Sequence, residues 1–190
     1  MRISAILFDF FGVICVDQYQ HWLSDNKFQR VGEFADLGRR TDSGKINMAE
    51  FFTGLAELSG QPAIKIERDF RQNTDLDAEL LDYIIRLKKH YKIGLVTNSS
   101  TDWLEIAFDQ FHIRHIFDEV VVSGEVGFIK PQPQIYQIVI DRLGVRPDQI
   151  VFIDDNPVNV APARKLGMRG VVYNGIEELR KDLASIGVKI

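Results

Sequence analysis

Short, continuous apolar runs, separated by segments with helical periodicity, constrain the fold of this chain more than any other feature of its sequence. An apolar run without polar alternation is typical of a strand whose two faces are both buried, as in a parallel sheet. Strands that alternate with helices predict an α/β fold built on such a sheet. The predicted strands are Ile6–Phe8, Ile93–Val96, Val120–Val122, Ile150–Ile153 and Val171–Tyr173.

Helical periods occupy the intervals between the predicted strands. Gly144 ends one helix, and Asn156-Pro157 begins another that ends at Gly167, since Pro is favoured at the first helical position and Gly after the last. Apolar residues at helical spacing mark the buried faces of three helices: Leu80, Ile84 and Leu87, then Leu104, Ala107, Phe108 and Phe111, then Ile135, Ile138, Val139 and Leu143.

The interval between the first and second strands is the longest, and it has helical character without a convincing strand. Asn47 and Glu50 form a predicted capping box at the start of one of its helices. We therefore expect a core domain of residues 1–17 and 78–190 that carries an inserted helical cap of residues 18–77. Two bodies of this kind leave a cleft between them.

Charge and cysteine usage restrict the partners and the compartment. The formal net charge is -4, and we expect no nucleic-acid partner because neutralising phosphates takes clustered Lys and Arg. The apolar run at residues 3–8 is too short for a signal peptide or a membrane span, so we expect no membrane partner. Cys15 is the single cysteine, which suits a reducing, cytoplasmic compartment. The sequence does not indicate an oligomeric state.

Polar side chains follow three of the predicted strands directly. Asp9 follows the first strand, Thr97-Asn98 the second and Asp154-Asp155 the fourth. Lys130 lies on a loop with Gly and Pro after the third strand. Ligands of open parallel sheets bind outside the carboxyl ends of the strands, where these residues would meet. The sequence therefore predicts one shared site at that edge.

The residue types at this edge suit phosphoryl transfer. A carboxylate that attacks a phosphate needs a divalent cation held by oxygen ligands, a fixed ammonium and neutral donors. Water would then hydrolyse the aspartyl-phosphate. The predicted roles are Asp9 as nucleophile and metal ligand, Asp154 and Asp155 as further metal ligands, Thr97 and the Asn98 backbone as phosphate donors, and Lys130 as the balancing charge. Asn159 either steadies the site from the following helix or is an ordinary surface residue.

Four ordered segments resemble the motifs of the haloacid dehalogenase-like (HAD-like) hydrolase superfamily. They are Asp9-Phe10-Phe11-Gly12-Val13, Val96-Thr97-Asn98, Lys130-Pro131 with Ile135-Tyr136, and Phe152-Ile153-Asp154-Asp155-Asn156. The segment from Ala161 to Met168 is similar to the phosphatase branch that includes a bacterial glucose-1-phosphate phosphatase and the N-terminal domain of soluble epoxide hydrolase.

The resemblance implies a Rossmann-like core with a small helical cap and a hydrolase that uses Mg²⁺. It implies that the backbone carbonyl of Phe11 is a metal ligand beside Asp9, Asp154 and Asp155. It also implies a phosphatase whose partner is a small phosphorylated metabolite, such as a sugar phosphate. The substrate itself is not specified by the sequence.

Phe11 departs from the phosphatase pattern, which has a second Asp two positions after the nucleophile. That Asp protonates the leaving alcohol, and a positioned acid contributes ~10²–10⁴-fold to the rate. Asp17 and His21, just beyond the first motif, are candidate substitutes.

Three alternatives account for Phe11 differently. A 2-haloacid dehalogenase needs no acid and no metal, but it lacks the acidic pair that this chain keeps at Asp154 and Asp155. A phosphonatase needs a Schiff-base lysine from the cap, for which Lys27, Lys45 and Lys65 are the candidates. A phosphate-binding protein with weak or no catalysis would keep the fold and the metal site only.

Overall fold

A five-stranded parallel sheet lies at the centre of the computed structural model, which describes residues 2–189. The strand order is β3-β2-β1-β4-β5, and every neighbouring pair is parallel. This Rossmann-like arrangement confirms the predicted α/β fold class and all five predicted strands. The strands are β1 Ala5–Phe8, β2 Lys92–Thr97, β3 Glu119–Val122, β4 Ile150–Asp154 and β5 Arg169–Val172.

Helices connect the strands and cover both faces of the sheet. No helix within residues 2–189 is long and apolar enough to cross a membrane. The helices are α1 Gln18–Asp25, α2 Gly32–Asp42, α3 Met48–Ser59, α4 Ala63–Gln72, α5 Ala78–Leu87, α6 Thr101–Phe111, α7 Ser123–Val126, α8 Pro133–Leu143, α9 Pro157–Lys165 and α10 Ile176–Ser185. The short helix α7, which precedes the Lys130 loop, has no counterpart in the sequence prediction.

Both faces of the central strands are buried, which explains their unbroken apolar runs. Ile6 and Phe8 belong to the cluster on one face, which includes residues of α5, α6 and α10. Ala5 and Leu7 point the other way, into a cluster with residues of α8 and α9. At ~25 cal/mol per Å² of buried apolar surface, these two layers supply most of the driving force for folding.

A third apolar cluster joins the helices α1 to α4. Trp22 and Phe70 lie in it together with Trp103 of α6, so an aromatic contact connects these helices to the helix that follows β2. The predicted capping box of α3 is confirmed, because Asn47 and Glu50 exchange two hydrogen bonds of 2.9 Å.

The topology brings β1 and β4 side by side where the strand order reverses. The chain runs outward from β1 to β2 and β3, then returns to the other side of β1 as β4. Phe8 pairs with Ile153, and the N–H of Asp9 donates to the Ile153 carbonyl at 2.8 Å. Asp9 and Asp154 therefore leave the sheet at the same level, at the crevice where such sheets bind ligands.

Candidate active site

Three carboxylates gather at the carboxyl ends of β1 and β4. Asp9, Asp154 and Asp155 each offer an oxygen, and these oxygens all lie within 4.8 Å of one another. Asp9 and Asp154 are buried, whereas Asp155 is exposed. The structure thus brings together the three acidic residues that were predicted from separate motifs.

Lys130 joins this acidic cluster. Its Nζ lies 2.7 Å from Asp9 Oδ1 and 2.7 Å from Asp154 Oδ2, and its side chain is 1% exposed. The backbone of Lys130 is held by the side chain of Asn98, whose Oδ1 accepts the N–H at 2.7 Å and whose Nδ2 donates to the carbonyl at 3.0 Å. Asn98 therefore positions Lys130 through its side chain, a role that its sequence motif did not predict.

The cluster has an excess of negative charge. Burial raises the pKa of Asp9 to about 8, although the ammonium of Lys130 acts in the opposite direction. Burial alone would lower the pKa of Lys130, but the charges of Asp9 and Asp154 outweigh it and the pKa is raised. One ammonium thus balances two buried carboxylates beside a third. Such a set of carboxylate oxygens fits a hard divalent cation, which would neutralise the remaining charge.

Asp154 is fixed by neighbours in the loop after β4 and in α9. Asn159 Nδ2 lies 3.0 and 3.2 Å from its two oxygens, and the N–H of Asn156 donates to Oδ1 at 2.9 Å. Tyr136 of α8 donates its hydroxyl to the Asn159 carbonyl at 2.7 Å. Asn159 therefore contacts the acidic cluster directly, as its predicted steadying role requires.

The loop after β1 passes close to Asp155. Gly12 has a φ of +91°, and a Cβ at this position would lie 2.7 Å from Asp155 Oδ2. Glycine allows both the left-handed backbone and this close approach. Within residues 2–189, no hydrogen bond ends on the carbonyl oxygen of Phe11, so this oxygen has no partner within the protein. The ring of Phe11 lines the cavity described next.

A cavity of about 450 Å³ lies between the carboxyl edge of the sheet and the helices that follow β1. Charged and aromatic side chains from those helices share it with the acidic cluster, so it can accommodate a small polar molecule. The lining residues that follow the strands include Asp9, Asn98, Ser99, Ser100, Trp103, Lys130, Asp155 and Asn159. Those from the segment between β1 and α5 include Asp17, Tyr19, Arg30, Arg39, Asp42, Met48, Phe51 and Phe70.

Thr97 is fully buried at the end of β2 and is not among the residues that line the cavity. In the described part of the chain its hydroxyl has no hydrogen-bond partner, and the same holds for Ser100. Buried hydroxyls without a partner are uncommon in folded proteins. The role of Thr97 in phosphate binding stays a prediction.

Several other sequence candidates lie away from the acidic cluster or are already engaged. His21 is exposed, pairs with Asp25 at 3.1 Å and does not line the cavity. Asp17 lines the cavity, but it caps α1 through the N–H of Gln20 at 3.0 Å and contacts Arg30 at 3.3 Å. Within residues 2–189, the cavity is lined by none of the lysines considered for a Schiff base, which are Lys27, Lys45 and Lys65.

The cavity also contains residues that sequence reasoning missed, namely Arg30, Arg39 and Asp42. Charged residues in a helical segment normally face solvent, so their pattern gave no signal. Cys15 is buried, and burial raises the pKa of its thiol to about 12, which makes it an unreactive packing group.

Comparisons with known proteins agree with this geometry. A family model described as haloacid dehalogenase-like hydrolase matches residues 3–167. A D-ribitol-5-phosphate phosphatase from Bacteroides thetaiotaomicron is 26% identical over 206 residues, which cover 97% of this chain and 98% of that protein. The bifunctional epoxide hydrolase 2 of Rattus norvegicus is 33% identical over 106 residues, covering 52% of this chain and 19% of that protein. The chain thus spans about a fifth of the epoxide hydrolases it matches.

Solved structures share the fold over nearly the whole chain. A HAD family enzyme from Bacteroides thetaiotaomicron has a TM-score of 0.80 at 21% identity, covering 95% of this chain and 98% of its own. Its complex with magnesium and inorganic phosphate has a TM-score of 0.71 at 22% identity, covering 90% and 93%. The L-2-haloacid dehalogenase of Xanthobacter autotrophicus has a TM-score of 0.65 at 18% identity, covering 99% and 85%. At these identities the likeness shows the fold.

Proposed function

The chain belongs to the haloacid dehalogenase-like hydrolases, and from this premise we propose that it is a Mg²⁺-dependent phosphatase acting on a small phosphorylated metabolite. The observation that carries the proposal is the buried cluster of Asp9, Asp154 and Lys130, with Asp155 beside it, at the floor of a polar cavity. The relative that hydrolyses D-ribitol 5-phosphate supports a sugar or polyol phosphate as the substrate.

The ligands of the ion would be Asp9, Asp154, Asp155 and the carbonyl of Phe11. When bound there, Mg²⁺ supplies positive charge that neutralises the phosphate oxygens. The donor set supports this choice, because the oxygens of its three carboxylates lie within 4.8 Å of one another and carry more charge than Lys130 balances. The magnesium bound by the structural neighbour supports it as well.

The residues of the chain would then act in sequence. The Asp9 carboxylate attacks the phosphorus, and the bond to the ester oxygen breaks as the alcohol leaves with a proton. Water attacks the resulting aspartyl-phosphate, releasing inorganic phosphate and restoring the carboxylate. Lys130 balances the charge of Asp9, while the Thr97 hydroxyl and the Asn98 N–H donate to the phosphate oxygens.

We further propose that residues 18–77 act as a cap over a core of residues 1–17 and 78–190. The cap supplies Tyr19, Arg30 and Asp42 to the cavity. These side chains would select the alcohol part of the substrate, because the core residues are occupied with the metal and the phosphate.

The proposed activity is tested by phosphate release from p-nitrophenyl phosphate and a panel of sugar and polyol phosphates. Turnover is expected with Mg²⁺ and is expected to stop with EDTA. If no ester is hydrolysed, the proposal is wrong. Release of halide from 2-haloacids, independent of metal, would then favour the dehalogenase.

Asn159→Ala is expected to weaken Mg²⁺ binding by ~10–100-fold, because residues that orient a metal ligand typically contribute that much. The variant removes the amide that contacts both oxygens of Asp154. Titration calorimetry with Mg²⁺ measures the effect. Asn73→Ala, at an exposed helix end, is the matched control and should bind as the wild type does. Equal affinity in all three proteins would contradict the role of Asn159.

Gly12→Ala is expected to lower both stability and Mg²⁺ affinity. The left-handed backbone alone costs about 1–2 kcal/mol for a residue with a Cβ, and the new methyl group would displace Asp155. Gly60→Ala separates the two effects, since Gly60 has a φ of +71° and nothing within 4 Å of a Cβ. Chemical denaturation should show a loss of stability for both variants, larger for Gly12→Ala because of the added contact with Asp155, while only Gly12→Ala should weaken Mg²⁺ binding. If the two variants bind Mg²⁺ equally, the close approach to Asp155 is unimportant.

A further inference from the structure

The active site as proposed lacks a group that protonates the leaving alcohol. Phe11 stands where a second carboxylate would be, and its ring offers no proton. An alkoxide is a poor leaving group, so a phosphatase of sugar or polyol esters gains much from an acid in reach of the ester oxygen. Any substitute must line the cavity, lie above the acidic cluster and hold a proton.

We propose that Asp42 is this general acid and base, delivered from the end of α2 to the ester oxygen of the substrate. The inference rests on the phosphatase function proposed above. Asp42 lines the same cavity as Asp9, and its side chain is 19% exposed. It is thus accessible to a bound substrate but largely shielded from bulk water.

Hydrogen bonds fix Asp42 relative to the core. Its backbone carbonyl accepts the hydroxyl of Ser123, the first residue of α7. The same hydroxyl oxygen accepts the N–H of Ser99 at 3.0 Å. Ser99 follows the predicted phosphate donors Thr97 and Asn98 in the chain. Asp42 is therefore tied, through one serine, to the loop that would hold the phosphate.

Two glycines let the chain after Asp42 pack on helix α7, and let α7 pack on that loop. A Cβ on Gly44 would lie 2.5 Å from the carbonyl oxygen of Gly124, and a Cβ on Gly124 would lie 2.8 Å from the carbonyl oxygen of Ser99. Backbone therefore packs against backbone at both contacts, without side chains between them. These contacts fix the backbone next to Asp42, so its side chain enters the cavity from a defined position, as an acid requires.

The surroundings of Asp42 raise its pKa above the ordinary value of an aspartate, toward the pH at which a general acid works. It is the last residue of α2, where the helix dipole disfavours a negative charge. Burial raises the pKa of Asp42 to about 6, and the charge of Asp17 acts in the same direction. The charges of Arg30 and Lys130 act in the opposite direction. Tyr19, the remaining titratable neighbour, has a pKa that burial raises far above neutrality, so it stays uncharged.

Most other proton donors around the cavity are already engaged, and the unpartnered hydroxyl of Ser100 is a much weaker acid than a carboxyl group. The Tyr19 hydroxyl donates to the Phe34 carbonyl at 2.6 Å, and the Thr41 hydroxyl donates to the Leu37 carbonyl at 2.9 Å. Asp17 caps α1 with one oxygen and contacts Arg30 with the other. In the described chain, the side chain of Asp42 has only a loose contact with Arg30, at 3.5 Å. It is therefore the carboxyl group most available to a substrate.

The proposed step balances as follows. As the Asp9 oxygen bonds to phosphorus and the bond from phosphorus to the ester oxygen breaks, the Asp42 carboxyl gives its proton to that oxygen. The free alcohol leaves, and Asp42 is a carboxylate. Asp42 then takes a proton from the water that attacks the aspartyl-phosphate. Inorganic phosphate leaves, the Asp9 carboxylate is restored and Asp42 again holds its proton.

The test compares Asp42→Asn with the wild type on esters whose leaving groups differ. For p-nitrophenyl phosphate, whose leaving group needs no proton, kcat/KM should change little. For alkyl and sugar phosphates it should fall by ~10²–10⁴-fold, the usual contribution of a positioned acid. Asp36→Asn is the matched control, because Asp36 is an exposed aspartate of the same helix that is not among the residues lining the cavity, and this variant should show no dependence on the leaving group.

The outcomes separate the two proposals. A wild type that hydrolyses no ester overturns the phosphatase function and the role of Asp42 with it. An active wild type with an Asp42→Asn variant that slows every ester equally, or none, overturns only the role of Asp42.

The wild type alone provides a second readout if Asp42→Asn does not fold. The ratio of kcat/KM for an alkyl phosphate to that for p-nitrophenyl phosphate should fall as the pH rises through about 6, because the acid loses its proton there. Each kcat/KM value is first corrected for the fraction of its ester present as the dianion, because the two esters lose their second phosphate proton at different pH values. A ratio that does not depend on pH would contradict the proposal.

Discussion

Asp9→Asn is expected to lower kcat for every phosphate ester by ~10⁴-fold or more, the scale seen when a covalent nucleophile is removed. An amide has nearly the volume of the carboxylate but does not attack phosphorus. The buried position between Lys130 and the Ile153 backbone should keep the side chain in place. Steady-state phosphate release with saturating Mg²⁺ measures the loss.

Acid quenching during turnover provides independent support for the nucleophile. Phosphate should remain on the wild-type protein and be absent from Asp9→Asn. Asp109→Asn, on the exposed face of α6, is the matched control and should retain full activity. Turnover by Asp9→Asn at a rate near that of the wild type would contradict a covalent mechanism at this residue.

The fold and the acidic floor of the site follow from local sequence. Ile6 and Phe8 face one layer of helices while Leu7 faces the other, so an unbroken apolar run was a reliable sign of a central strand. Once the strands are known, Asp9 and Asp154 must leave adjacent parallel strands at the same edge. The prediction that they meet needed no side-chain detail.

Residues whose role depends on distant partners could not be predicted in this way. Asn98 holds the backbone of Lys130, which lies 32 positions later in the chain. Asp42 reaches the cavity only because Gly44 sits on the backbone of Gly124. Helical periodicity shows which face of α2 is apolar, but it does not show how that helix is placed over the sheet.

Lys130→Met is expected to have the largest effect on stability. Its ammonium contacts Asp9 and Asp154, and it is 1% exposed. Removing one partner of a buried ion pair costs about 3–5 kcal/mol, because the remaining charge is left uncompensated. Methionine fills a similar volume, so the loss of stability would result from the missing charge and not from a cavity. Chemical denaturation in EDTA measures the change in the free energy of unfolding.

The stability of Lys130→Met should also depend on pH and on Mg²⁺. Burial raises the pKa of Asp9 to about 8, and the loss of Lys130 would raise it further. The folded variant then holds a proton that the unfolded chain releases at neutral pH, so its stability should fall as the pH rises. The wild type shares this slope up to about pH 8, where its own Asp9 ionises. The stability deficit of the variant should therefore widen above that pH.

Mg²⁺ should restore part of the stability of Lys130→Met, since it would bring positive charge back to the same carboxylates. The comparison is made by repeating the denaturation with saturating Mg²⁺. Lys165→Met, at the exposed end of α9, is the control and should match the wild type with and without the ion. Two results would contradict this account: Lys130→Met is as stable as the wild type in EDTA, or it gains no more stability from Mg²⁺ than the control does. Either result would mean that the carboxylates do not repel one another strongly when Lys130 is absent. If Mg²⁺ stabilises Lys130→Met but not the control, the ion and the Lys130 ammonium neutralise the same carboxylates.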